Sequence, residues 1–263
     1  MEGERSSRWT LAGKHALVTG GTKGIGCAIA EELCALGAEV FVAARSAPDI
    51  RSRVEEWTSR GWRAGGMACD VAGQRGREAL IAHVAQRWGA LDILVNNAGT
   101  NIRKKTPAYT DEEADLIMRT NLVSAFDLCR RAYPLLKSAP GGSIVNVASV
   151  GGMTALGTGT PYAMSKAALL QMTRSLAAEW GADGIRVNAV APWYIRTPLA
   201  EPVLKRADYL AAVVARTPLG RVGEPEEIAR AVAFLAMEAA SYITGTCLPV
   251  DGGFMASGFT PPP

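Results

Sequence analysis

His15-Ala16-Leu17-Val18-Thr19-Gly20-Gly21-Thr22-Lys23-Gly24-Ile25-Gly26 decides how this chain is read. Its first five residues are a short β-prone run without polar alternation, as a strand buried on both faces requires. The glycines end that strand, and the segment to about residue 36 reads as a helix. Gly20, Gly24 and Gly26 permit a tight turn, close backbone approach to a pyrophosphate, and close packing of helix on sheet. The N–H groups that open the helix can then bind the anion, with Thr22, Lys23 and Ile25 of the same turn beside it. The spacing is G-x3-G-x-G rather than G-x-G-x-x-G, so the glycines alone would indicate only a turn. Their place after the first strand of a βαβ unit points to a nucleotide.

The pattern repeats outward from this unit. Further β-rich runs occur at 39–44, 64–69, 91–95, 143–148, 185–190 and 246–250. Helical periodicity occupies 51–60, 74–88, 161–180 and 224–237, and 111–137 reads as one or two long helices. Strands alternating with crossovers of this length predict a parallel sheet covered on both faces, because parallel neighbours need a connection that crosses the sheet. The expectation is an α/β fold: a single doubly wound Rossmann domain over 1–263 with a seven-stranded, mainly parallel sheet. No low-complexity linker divides it, and a flexible substrate loop is expected at about 193–218.

Composition narrows the class. Hydrophobic residues at 48% and charged residues at 20% of 263 are the balance of a globular protein with a sizeable core. A net charge of +3, with basic knots no longer than Arg103-Lys104-Lys105, argues against nucleic acid as a partner. Cys27, Cys34, Cys69, Cys129 and Cys247 are scattered and odd in number, which fits a reducing compartment better than a disulfide framework. With only His15 and His83, no metal site is expected. The polar start, residues 1–8, is unlike a secretory leader, and no apolar run is long enough to span a bilayer. A cytoplasmic protein with no membrane partner is the expectation.

Strand ends carry the chemistry in an open α/β sheet. Where an NAD site would offer Asp or Glu to the ribose 2′-hydroxyl, the second strand ends in Ala44-Arg45. An acid there would repel a 2′-phosphate, whereas Arg45 can form paired charge-assisted bonds to it, with Lys23 on the other side. NADP(H) is therefore expected. Asp70 and Val71 follow the third strand, where the carboxylate can bond an adenine amino group. Asn97, Ala98 and Gly99 follow the fourth, and their small size lets the backbone approach the cofactor.

Tyr162 and Lys166 stand four apart, on one helix face. A carbonyl receiving hydride needs a proton at its oxygen, and a cation beside a phenol lowers the phenol's pKa toward working pH. Ser149 ends the fifth strand and can hold the same oxygen. Asn121, inside the long helical stretch, is not readable from first principles, since Asn in a helix can simply face solvent.

Taken in order, Thr19-Gly20 with Gly24-Ile25-Gly26, Asn96-Asn97-Ala98-Gly99, Asn121, Ser149, Tyr162 with Lys166, and Pro192 with Thr197 resemble the motifs of the short-chain dehydrogenase/reductase family, from about residue 10 to 258. The resemblance implies that Ser149 orients the carbonyl, Tyr162 transfers the proton, Lys166 holds the nicotinamide ribose and tunes Tyr162, and Asn121 supports a water-linked relay from Lys166. Pro192, Ile195 and Thr197 would line the nicotinamide end. Trp193 departs from the family, which usually has Gly after that proline. Within the family, 193–197, 216–219, 221–225 and 241–245 look most like plant tropinone reductases.

A substrate pocket is expected from Asn101, Ile102, Ser149, Val150, Met153, Leu156, Tyr162, Trp193, Tyr194 and Leu199, mainly apolar and without a carboxylate opposite Tyr162. The implied function is interconversion of a small ketone and a secondary alcohol. Two other readings are a 3-oxoacyl thioester reductase, docking a carrier on Arg103, Lys104 and Lys105, and a non-catalytic NADP-binding scaffold. A homodimer or homotetramer through 111–137 and 161–180 is also implied.

Overall fold

The computed structural model describes residues 8–157 and 159–258. The polar residues 1–7 lie outside the described part of the chain. Strands β1 (His15–Thr19), β2 (Glu39–Ala44), β3 (Ala64–Ala68), β4 (Ile93–Asn96), β5 (Ser143–Val147), β6 (Arg186–Pro192) and β7 (Cys247–Val250) form one sheet, ordered β3-β2-β1-β4-β5-β6-β7. Every pairing is parallel. The expected doubly wound α/β architecture is thus present, with a wholly parallel sheet.

Successive strand residues point to opposite faces, and each face has its own helix layer. Ala16 and Val18 of β1 pack with helices α1 (Gly24–Ala35) and α9 (Pro225–Ala236), and with Trp57 of α2 (Ala47–Ser59). Leu17 packs on the other face with α3 (Gln74–Trp88), α5 (Ser124–Ser138) and α6 (Thr160–Trp180). Leu17, Val18, Leu94, Val95, Ile144 and Val145 are fully buried, which is why these runs carry no polar alternation. Each such side chain contributes about 1.5–3 kcal/mol on leaving water.

The stretch 111–137 is two helices with an irregularity between them. The first, α4 (Asp111–Met118), starts at a Thr110/Glu113 capping box, and a π-helical turn at Arg119–Val123 joins it to α5. Two short helices, α7 (Glu201–Leu204) and α8 (Ala207–Ala215), occupy the expected substrate loop. Ala200, Leu204, Val213 and Val222 form a small core there, against Trp193, Tyr194 and Tyr209. Among the described residues, no helix is long and apolar enough to cross a membrane.

The strand order reverses between β1 and β4, because the chain leaves β1 toward β2 and β3 and returns to the opposite side. A crevice opens beyond the carboxyl ends of the strands at such a switch point.

Candidate active site

A cavity of about 710 Å³ fills that crevice and runs from the glycine turn to α6. At its nucleotide end the turn adopts the conformation its glycines allow. Gly20 has φ +67°, in the left-handed region. A Cβ on Gly26 would lie 2.2 Å from Gly20 O and 2.3 Å from Asn97 Nδ2, so only glycine fits there. Asn97 braces the turn, its Nδ2 donating to Thr19 O at 2.9 Å and Gly20 O at 3.2 Å. Thr19 Oγ1 in turn accepts from the N–H groups of Asn97 and Ala98, both at 3.1 Å. The Asn97 side chain is therefore committed to the loop, and its residue lines the cavity with Ala98 and Gly99.

Gly20, Thr22, Lys23, Gly24, Ile25, Gly26, Arg45, Asp70 and Val71 all line the same end. Arg45 is exposed, and among the described residues it faces no carboxylate partner. Lys23 does have one: its Nζ lies 2.8 Å from Asp49 Oδ2, in the first turn of α2. The two cations expected to share a phosphate are thus not equivalent. Asp49, one helical turn beyond Arg45, was not anticipated from sequence, because the search for an acid stopped at the strand end.

The four residues of the proton-transfer set converge from three elements. Ser149, just after β5, caps a short turn at Val150–Gly152 and accepts from Gly151 N at 3.0 Å, which leaves its own O–H to donate. Tyr162 and Lys166 rise from α6. A Cβ at Gly151 would meet Ser149 Oγ at 3.4 Å and the Tyr162 ring at 3.7 Å, so the two groups share one small space. Lys166, buried at 4% exposure, donates from Nζ to Val147 O at 2.8 Å.

Asn121 does not face solvent. The π turn adds a residue to the helix and aims its amide inward, a device recurrent at functional sites. Oδ1 accepts from Thr100 N at 2.8 Å, while Nδ2 donates to Thr100 O at 2.9 Å and Ser165 Oγ at 3.1 Å. A Cβ at Gly99 would sit 3.4 Å from Asn121 Oδ1 and 3.6 Å from Lys166 Nζ, so glycine there lets the two approach.

Burial dominates the electrostatics of Tyr162 and Lys166. Burial pushes the Tyr162 phenol above its ordinary value, against the opposing pull of the Ser149 hydroxyl and the Arg103 charge. Lys166 Nζ is 5.7 Å from the Tyr162 ring centroid and turned to Val147 O. Burial drops its own pKa from 10.5 to about 8. The Arg103 guanidinium adds its own cationic pull on the phenol.

The substrate end departs from expectation at several side chains. Asn101, Leu156, Trp193, Tyr194 and Leu199 line the cavity with Ser149 and Tyr162, and Pro192, Ile195 and Thr197 line the junction with the nucleotide end. Met153 does not line it. The turn after Ser149 carries it outward, 40% exposed, with its sulfur 3.9 Å from Cys247 Sγ. Ile102 also falls outside the lining, and Val150 is buried against Ala191 and Phe254. Trp193 stacks on Phe254 at 3.7 Å with planes 7° apart, and its Nε1 donates to Thr217 Oγ1 at 3.1 Å. That stack joins the residue after β6 to one beyond the end of β7, and no local signal announced it.

Of the three residues considered for a docking patch, Lys104 pairs with Glu113 and Arg103 turns toward the cavity, leaving Lys105 exposed. Arg103 was missed as a cavity residue because it was read with its neighbours as a surface knot.

Comparison with known proteins agrees with this geometry. Residues 20–255 match the family model described as enoyl-(acyl carrier protein) reductase. A tropinone reductase homolog of Arabidopsis thaliana is 50% identical over 258 residues, covering 98% of each chain. Another from the same plant, described as chloroplastic, is 50% identical over 97% of this chain and 79% of its own length. A solved gluconate 5-dehydrogenase from Burkholderia cenocepacia J2315, in complex with NADP and tartrate, superposes with a TM-score of 0.92. It is 32% identical and covers 96% of this chain and 99% of its own.

Proposed function

This chain belongs to the short-chain dehydrogenase/reductase family, and from that premise we propose that it is an NADP(H)-dependent oxidoreductase interconverting a small ketone and a secondary alcohol. One observation carries this reading. A single cavity joins the glycine turn and the unpaired Arg45 to the Ser149 and Tyr162 hydroxyls. A 2′-phosphoadenosine end and a carbonyl end thus have places in one continuous space. The NADP bound by the gluconate 5-dehydrogenase relative supports the choice of cofactor.

The cofactor, when bound, supplies or accepts the hydride. The chain's residues handle everything else. Thr22, Gly24 and Ile25 line the start of α1, where helix N–H groups favour the pyrophosphate. Arg45 would hold the 2′-phosphate. Ser149 donates to the carbonyl oxygen, and Tyr162 delivers the proton to that oxygen as the carbon becomes tetrahedral. In the reverse direction Tyr162 takes the proton back. Lys166, held by Val147 O, would hold the nicotinamide ribose, and Asn121 fixes the Thr100 backbone in the cavity wall.

Exposed Val123 and Phe126 around the start of α5 and Met164 of α6 give these helices apolar outer positions, which supports assembly into a homodimer or homotetramer. The five free cysteines suit a reducing compartment such as the cytoplasm. The test of the activity is a ketone panel followed by NADPH absorbance, repeated with NADH. Oxidation of NADPH by some ketones and a clear preference over NADH are expected. Nucleotide binding with no ketone turned over would favour a scaffold instead.

A further inference from the structure

One cation in the substrate half of the cavity is used by neither the proton-transfer set nor the nucleotide end. Arg103 is half-buried in the wall with Tyr162, Tyr194 and Leu199. Its Nη1 donates to Leu199 O at 3.3 Å and the guanidinium also bonds the Tyr194 hydroxyl, which still leaves donors of the five-donor fork unengaged. Among the described residues no carboxylate lies within ion-pair reach of it, whereas its neighbour Lys104 is neutralised by Glu113. The described carboxylates lining the cavity are Asp49 and Asp70, both at the nucleotide end, and Asp49 is held by Lys23. Leu156, Trp193 and Leu199 supply apolar surface beside the guanidinium. A partly desolvated cation without a counter-charge is unfavourable by itself, and an incoming anion relieves that cost.

We propose that Arg103 binds an oxyanion of the substrate, so that the ketone this site takes carries a carboxylate rather than an ammonium group. The proposal rests on the reductase reading and specifies its substrate class. The apolar side chains would hold the carbon skeleton, with Ser149 and Tyr162 at the carbonyl and Arg103 at the acid. A protonated amine in the same place would meet the guanidinium's like charge. The pull of Arg103 on the Tyr162 phenol supports the placement, since both must border the same space.

The experiment compares three ketones on the full chain with NADPH: 4-oxocyclohexanecarboxylate, its methyl ester, and tropinone. One charge-assisted contact predicts kcat/KM for the carboxylate about ten- to a hundredfold above the ester, with tropinone lowest. In Arg103→Gln the carboxylate-to-ester ratio falls to about one, whatever happens to each absolute rate, while Arg103→Lys retains part of it as a point charge without the fork. Equal rates in the unmodified protein, or a ratio that survives Arg103→Gln, overturns the proposal. Calorimetric titration of the NADP-loaded protein with cyclohexanecarboxylate provides a second measure that needs no turnover. Binding that Arg103→Gln abolishes supports the site; binding that is absent, or equal in both proteins, refutes it. If no ketone is reduced, the reductase reading fails while this titration still decides the anion site.

Discussion

Lys166→Met should make the protein more stable at neutral pH while removing its activity. Lys166 is 4% exposed, and its one hydrogen bond goes to a neutral acceptor, Val147 O. Burial moves its pKa from 10.5 to about 8. That difference corresponds to about 3 kcal/mol by which the folded state disfavours the charge. Below about pH 8 the ammonium is charged in both states, and the folded protein carries the whole cost. Between about 8 and 10.5 the folded state has lost the proton and the unfolded state keeps it. The unfolded state then binds more protons, so stability rises with pH through this window. Above about 10.5 both states are neutral and the cost is gone.

Methionine has a similar reach and no charge, but it leaves Val147 O without a donor, which costs about 1 kcal/mol. The variant should therefore exceed the unmodified protein by about 2 kcal/mol at neutral pH. The gap should close by up to about 1.4 kcal/mol per pH unit through the window and then reverse sign. Urea unfolding of both proteins without added nucleotide, at several values between about pH 6.5 and 10, measures the gap, and every group common to both cancels in the difference. A gap that stays constant with pH, or a variant already less stable at neutrality, would refute the argument.

Three further outcomes are expected. Tyr162→Phe should lower kcat by about 10²–10⁴-fold with NADPH affinity nearly unchanged by fluorescence titration; rates like the unmodified protein's would remove Tyr162 from proton transfer. Arg45→Asp should move the NADPH/NADH ratio of kcat/KM toward NADH by about ten- to a hundredfold, the worth of a charge-assisted contact. An unchanged ratio would mean that Lys23 leaves Asp49 to take the phosphate. Asn121→Ala strands Thr100 N–H and C=O and should cost about 2–3 kcal/mol, read as a lower urea midpoint at unchanged slope. An unaltered midpoint would show that Thr100 finds other partners.

The parallel sheet was legible because its signal is local. Runs such as Ile93 to Val95 are apolar for the same reason they are buried, and the glycine turn declares itself by what a Cβ would strike. Tyr162 and Lys166 were legible because helical spacing puts them on one face. Orientation was not. The π turn that aims Asn121 inward needs an extra residue in the helix, and a 3.6-residue period hides it. Arg103 and Lys104 are adjacent, yet one turns to the cavity and the other to Glu113, a difference set by α4 and the Leu199 loop. Met153 follows Ser149 closely in sequence but is swung outward by the intervening turn. Pairings between distant segments, such as Lys23 with Asp49 or Trp193 with Phe254, depend on the assembled fold.

The Trp193–Phe254 stack also bears on how the chain acquires its binding site during synthesis. The glycine turn and α1 precede the substrate end in the chain, and β1 and β4 can pair long before Phe254 emerges. The indole under the substrate end has no ring to rest on until Phe254, sixty-one residues later, is translated. Nascent chains should therefore be able to shape the nucleotide end before Phe254 emerges, whereas the substrate end is completed only afterwards. Changes at Phe254 would then act on substrate selection before they affect nucleotide affinity.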